Sequence, residues 1–156
     1  MVKGGKERQD SVAAGLLAAG RGFDFVLVHD GARPLVTREI LERAIKAAYR
    51  HGASVAAMPP KDTIKEIRGR FIKKTIPRDT LVSVQTPQVF KYDILKRACE
   101  MAAKDGFRST DEAALVERLG VKIIFTPGSY ENIKITTKED LATAELILKT
   151  RQGLSP

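Results

Sequence analysis

The sequence predicts an α/β fold: a mostly parallel sheet flanked by helices, with one β-hairpin projecting from it. Three observations lead there. Apolar runs of strand length alternate with longer segments whose apolar residues recur at helical spacing. Those longer segments carry helix start and stop residues at their ends. Residues 62–76 interrupt the alternation with two period-two runs around a glycine. The 156 residues with 43% apolar content predict one domain over residues 1–156.

The first helix is expected over Asp10 to Ala19, with Val12, Leu16 and Ala19 on one stripe. Ala18-Ala19-Gly20-Arg21-Gly22 resembles a phosphate-binding loop, but such a loop needs a strand before it and a helix after it. Here the helix precedes and the apolar run Phe23 to Val28 follows, so Gly20 and Gly22 read as a helix C-cap and a turn. Thr37 opens a second helix, with Ile40, Leu41, Ala44, Ile45, Ala48 and Tyr49 as its apolar residues and Gly52 as its end. Ser54 to Met58 is a short buried strand.

The hairpin follows, within about residues 62–78, its strands meeting at Arg68-Gly69. A hairpin this long and charged projects from the body or pairs with another chain. Leu81 to Phe90 is extended around Pro87, and Tyr92 to Lys104 is helical. Thr110 begins a further helix, with Asp111 and Glu112 in its first turn and Gly120 closing it. Val121 to Thr126 and Asn132 to Thr136 read as strands. Thr137 and Asp140 form a capping box for a last helix, whose Leu141, Ala144 and Leu148 share a face.

Composition narrows the function. No stretch of about 18 apolar residues exists to cross a membrane, and the N-terminus lacks the plan of a signal peptide, so cytoplasm is the expected compartment and no membrane partner is expected. Cys99, the single cysteine, lies in a helical pattern and is expected to pack rather than react. The net charge of +8 favours an anionic partner. The positive charges are scattered, with little aromatic interleaving, so phosphorylated metabolites are expected rather than nucleic acid.

Ligands of open α/β sheets bind beyond the carboxyl ends of strands, and His29-Asp30-Gly31-Ala32-Arg33-Pro34 lies at such an end. Asp30 there could hold hydroxyls or a metal and Arg33 a phosphate. The same pair also fits a plain loop ion pair. His29 reads as a turn residue rather than a base. Gly4-Gly5-Lys6-Glu7-Arg8-Gln9-Asp10-Ser11, Gln85-Thr86-Pro87-Gln88 and Asn132-Ile133-Lys134-Ile135-Thr136 are further polar clusters at element ends. Glycines 4 and 5 permit close approach of a base or phosphate. Lys134 within an apolar run needs a counter-charge if it points inward, which a phosphate would supply, or else it guards an edge strand.

These clusters occur together with Val28 to Pro34, Ile76-Pro77-Arg78-Asp79 and Ser109-Thr110-Asp111-Glu112-Ala113, in an order that resembles the 2-C-methyl-D-erythritol 4-phosphate cytidylyltransferases of non-mevalonate isoprenoid biosynthesis. The resemblance runs from Gly4 to about Leu148. It implies a Rossmann-like nucleotidyltransferase and transfer of a cytidylyl group from CTP to 2-C-methyl-D-erythritol 4-phosphate, releasing pyrophosphate. It also implies Mg2+ held mainly by the CTP phosphates, with no protein metal ligands assigned. Gly5, Lys6 and Ser11 would border the nucleotide. Asp30 and Arg33 would face the acceptor, with Thr86 and Thr110 nearby, and Lys134 would stand where the two phosphates meet. The hairpin would embrace a second subunit, so that Thr63 and Arg78 complete the neighbour's site in a homodimer.

The family opens with a strand and a glycine-rich loop that grips the CTP phosphates, and neither is found here. That difference predicts a truncated domain lacking N-terminal strands of the family fold, with weak or absent turnover by the chain alone. Two other readings share these motifs: a non-catalytic dimeric module that binds the acceptor, and a cytidylyltransferase for another polyol phosphate such as ribitol 5-phosphate.

Overall fold

A computed structural model describes residues 1–153. Helix α1 (Arg8–Ala19) begins two residues earlier than its apolar stripe predicts. The reason is a cap: the Asp10 carboxylate accepts the Glu7 backbone N–H at 3.1 Å, satisfying a group at the helix start. Leu16 is buried and Val12 half-buried, whereas Ala19 is exposed, so the stripe ends before the helix does. Gly20 closes α1 at φ 74° and Gly22 turns the chain at φ 105°, both positive as their reading as cap and turn requires. Strand β1 (Phe25–Val28) is shorter than predicted, with Phe23 lying outside it, 56% exposed.

Helix α2 (Arg38–His51) runs from the Thr37 N-cap to Gly52 in the left-handed region, and β2 (Ala53–Met58) follows. The Ser54 hydroxyl donates to the Ala44 carbonyl at 2.6 Å, tying β2 to α2 inside the core. Strands β3 (Ile64–Arg68) and β4 (Phe71–Ile76) form the hairpin as a separate two-stranded sheet. Gly69 turns it at φ 60°, and Ile67, Phe71 and Ile72 stand exposed on it. After a 3-10 turn at Arg78–Thr80 comes β5 (Ser83–Lys91), then α3 (Tyr92–Asp105), α4 (Glu112–Glu117), β6 (Ile124–Pro127) and α5 (Lys138–Arg151).

The main sheet has the order β1-β5-β2-β6. Strands β1, β2 and β6 share one direction, as the α/β reading requires, while β5 is inserted against them between β1 and β2. Alternate residues of β5 feed the two faces of the sheet. Val89 packs on Ala44 and Ala48 of α2. Phe90, with no exposed surface, joins Leu95, Ala98, Leu115 and Val116 from α3 and α4, together with Leu16 of α1. Cys99 packs against this second cluster as a free thiol, and burial, with Glu112 and Glu100 adding to it, pushes it up to about 11.

Three expectations need correction. Asn132 to Thr136 is not a strand. Asn132 is its most buried residue, Ile133 and Ile135 are only half-buried, and it belongs to no sheet. A single backbone bond, Ile135 N–H to the Ala32 carbonyl at 2.8 Å, ties it to the loop after β1. On α5, Ala144 is buried, but Leu141 and Leu148 on its face are 51% and 45% exposed, so the face is covered only at its centre. Asp111 caps α4 by accepting the Ala114 N–H and so precedes the first turn, which leaves Glu112 as the first helical residue. No helix among the described residues is long and apolar enough to cross a membrane.

Candidate active site

Because β1 ends at Val28, the chain turns sharply where the sheet stops, and the Arg33 N–H closes that turn on the Asp30 carbonyl at 2.9 Å. The neighbouring strand locks the turn in place. The Asp30 N–H donates to Thr86 Oγ1 of β5 at 3.0 Å, and the same oxygen lies 3.0 Å from His29 Nδ1. His29 Nε2 meets the Arg33 carbonyl at 3.0 Å. A carbonyl only accepts, so Nε2 carries the proton, and in the neutral ring Nδ1 accepts from the Thr86 hydroxyl. His29 is thus a strut of the turn, in keeping with its reading from sequence.

Asp30 is the hub. Its Oδ1 accepts from Arg8 Nε at 2.9 Å, its Oδ2 lies 3.1 Å from Lys134 Nζ, and Arg33 Nε stands 3.8 Å from Oδ2. Burial works to raise the Asp30 carboxyl, but the Arg8 and Lys134 hydrogen bonds outweigh it and hold the group below the usual carboxylate range. Arg33 is less well served. Burial pulls its guanidinium down, nearby Arg8 adds to this, and Asp30 offsets only part. Its Nη1 reaches the Asn132 carbonyl at 2.7 Å, yet its buried Nε has no hydrogen-bond partner among the described residues. A buried cationic donor left open favours an incoming anion.

These side chains line a cavity of about 250 Å³ together with Thr86 and Thr110. The structure therefore gathers Asp30, Arg33, Lys134, Thr86 and Thr110 from four separate segments around one space. Of the expected nucleotide-side residues, Lys6 lies beside it, lining an adjoining cleft that shares Arg8 and Thr110 with the first. Gly5 and Ser11 line neither space. The Gly5 N–H is held by Ser11 Oγ at 3.0 Å. A Cβ at residue 5 would collide with the Asp10 side chain, so within the chain this glycine serves close contact with α1. Thr63 and Arg78 stand apart, exposed at the root of the hairpin, where Arg78 Nη1 donates to the Lys61 carbonyl at 2.6 Å. Neither lines the cavity.

Comparison with known proteins identifies the family to which the chain belongs. The family described as IspD, 2-C-methyl-D-erythritol 4-phosphate cytidylyltransferase, matches residues 1–150. The chain belongs to that family. The 2-C-methyl-D-erythritol 4-phosphate cytidylyltransferase of Pelotomaculum thermopropionicum is 49% identical over 154 residues, covering 98% of this chain and 65% of the relative. That of Caldanaerobacter subterraneus is also 49% identical, over 96% of this chain and 66% of its own. The chain thus spans about two thirds of the length of these cytidylyltransferases. A crystal structure of the Thermus thermophilus enzyme superposes with a TM-score of 0.86 at 38% identity, covering 95% of this chain and 72% of the other. The 4-diphosphocytidyl-2C-methyl-D-erythritol synthase of Anaerococcus prevotii gives 0.89 at 34% identity, over 95% and 69%.

Within this cytidylyltransferase fold, Arg8, Gln88 and Glu112 are site residues that sequence reasoning passed over. Gln88, almost wholly buried, donates to Asp111 Oδ2 at 2.9 Å and accepts the Ala113 N–H at 3.1 Å, clamping the start of α4 to β5. Glu112 takes Arg8 Nη1 on both oxygens, at 2.7 and 2.6 Å. Burial pushes the Glu112 carboxyl up, and Arg8 pulls it back without cancelling the rise. Arg8 and Glu112 both lie in motifs visible in the sequence, but their partnership spans 104 residues and leaves no local signal.

Proposed function

We propose that the protein transfers a cytidylyl group from CTP to 2-C-methyl-D-erythritol 4-phosphate. One observation carries the reading: three cations, Arg8, Arg33 and Lys134, converge on the single Asp30 carboxylate at the rim of one cavity, and the buried Arg33 Nε is still open. That is a charge pattern for a phosphorylated polyol, with cations for its phosphate and a carboxylate for its hydroxyls. Membership in the cytidylyltransferase family supports the choice of acceptor and nucleotide.

In this reading a phosphate oxygen of the acceptor forms a bond to the α-phosphorus of CTP while the bond to the β-phosphate breaks, so pyrophosphate leaves and the CDP-polyol forms. A phosphate monoester has a second pKa of about 6 and is already nucleophilic near neutral pH, so no catalytic base is required. Lys134 stabilises charge on the reacting phosphoryl oxygens, Arg33 holds the acceptor phosphate, and Asp30 orients the polyol. Thr86 and Thr110 border the acceptor, and Gly5, Lys6 and Ser11 border the nucleotide.

Mg2+ held by the CTP phosphates would offset the triphosphate charge. The chain's own residues do not suit a dedicated metal cage: both Asp30 oxygens face cations, and no group of three His, Cys, Asp or Glu gathers among the described residues. The hairpin, with Ile67, Phe71 and Ile72 exposed, serves as the arm of a cytoplasmic homodimer that carries Thr63 and Arg78 to the neighbour's cavity.

The test is calorimetry with 2-C-methyl-D-erythritol 4-phosphate, alongside pyrophosphate release from CTP in its presence. Saturable acceptor binding that Lys134→Met and Arg33→Met both weaken is the expected result. A folded chain that binds no acceptor, or binds it equally well after those changes, would refute the reading.

A further inference from the structure

We propose that Glu112 is a positioning residue: by holding Arg8 it decides how the Asp30 carboxylate is shared, and so keeps Lys134 in place. The inference deepens the reading above and rests on it for the identity of the acceptor.

Glu112 is firmly fixed. It is 1% exposed and opens α4, whose first turn Gln88 clamps to the central strand through Asp111 and Ala113. From this post both carboxylate oxygens grip Arg8 Nη1, which fixes the orientation of the guanidinium so that its Nε meets Asp30 Oδ1. A guanidinium prefers to meet a carboxylate with two parallel N–H bonds. An Arg8 free of Glu112 would take both Asp30 oxygens in that way, and its second bond would fall on Oδ2, where Lys134 Nζ now sits. Glu112 restrains the fork so that one oxygen of Asp30 stays available. It also offsets one of the three cations grouped around a single carboxylate, which would otherwise repel each other at the cavity rim.

The positioning is read without ligand as the rate at which acetic anhydride modifies Lys134 in the full chain, followed by peptide mass spectrometry. Glu112→Gln preserves shape and removes the charge. It is expected to raise Lys134 modification several-fold, to the level seen in Asp30→Asn, with Lys149 on α5 unchanged as an internal control. The double variant should show no further rise. Glu112→Asp, which keeps the charge but withdraws it by one methylene, should fall between. Should Glu112→Gln melt too low to study, Arg8→Lys reads the converse of the link: a point charge cannot take both Asp30 oxygens as a fork does, so Lys134 modification should not rise above that of the parent. Unchanged Lys134 modification in Glu112→Gln and Glu112→Asp, an equal rise at Lys149, or a rise at Lys134 in Arg8→Lys would overturn the proposal.

Calorimetry then reads the consequence. Glu112→Gln is expected to weaken methylerythritol phosphate binding about tenfold, and to add nothing once Lys134 is Met, as neighbours in one ion-pair network behave. Additive losses count against the proposal. A wild-type chain that binds no acceptor while Lys134 modification responds as expected would refute the acceptor reading and leave the positioning intact.

Discussion

Lys134 Nζ lies 3.1 Å from Asp30 Oδ2, joining the segment before α5 to the turn after β1. The two residues differ in exposure, with the lysine side chain 42% exposed and the carboxylate only 12%. That asymmetry separates their roles in folding from their roles in binding.

Lys134→Met should therefore cost less than about 1 kcal/mol, since a half-exposed ion pair contributes little to stability. Asp30→Ala should cost about 3 kcal/mol, because it strands Arg33 and Lys134 without their counter-charge beside an Arg8 that only Glu112 still offsets. Urea denaturation measures both, and equal losses would contradict the assignment of Asp30 as hub.

Gln88 uses both ends of its amide in the core. Gln88→Leu keeps the volume but leaves the Ala113 N–H and an Asp111 oxygen without partners, for an expected loss of about 3 kcal/mol. Gln88→Glu retains the acceptor and sets a second carboxylate against Asp111, so it too should destabilise, and more at neutral pH than in acid. A denaturation series showing either variant as stable as the parent would exclude the clamp.

The Asp140 carboxylate accepts from the Thr136 N–H, the Thr136 hydroxyl and the Thr137 N–H, all at 2.9 Å. The Thr136 backbone bond leads the set of interactions that lower it from the ordinary 3.8 to about 2. A group lowered on folding stabilises the protein above its unfolded value and loses that effect as pH falls through the folded one. Thermal stability should thus decline from about pH 4 towards 2, with Asp30 acting in the same sense. Glu112, raised on folding by burial, works the other way and is relieved on acidification. Asp140→Asn should flatten the acid limb, and melting curves that keep its full slope would remove Asp140 as its source.

Phe71 and Ile72 on the hairpin are 81% and 66% exposed. If the arm joins two chains, Phe71→Glu with Ile72→Glu should yield monomers in sedimentation equilibrium while the melting temperature of the main sheet holds. A chain that is monomeric before the change would dismiss the arm as an interface.

Much of the fold was legible because it is local physics. The Thr37 and Gly52 caps, the hairpin around Gly69, and the Thr137–Asp140 box each depend on residues within a few positions, where spacing and backbone preference act directly. Asn132 to Thr136 was misread for the complementary reason. Alternation reports an extended chain, but a strand also needs a neighbour, and the neighbour is settled by where β6 ends and the chain turns back.

By itself the sequence determined the elements, their caps, the polar clusters at their ends and, through motif order, a resemblance that residues 1–150 confirmed. Only the tertiary structure decided that β5 runs between β1 and β2, that Asp30 is held by Arg8 as well as Lys134, and that Glu112 stands behind Arg8. Capping and periodicity are interactions between near neighbours in the chain, so they are written in short stretches. An ion-pair network is set by distance in space and by burial, and its members come together only when the sheet has closed around them.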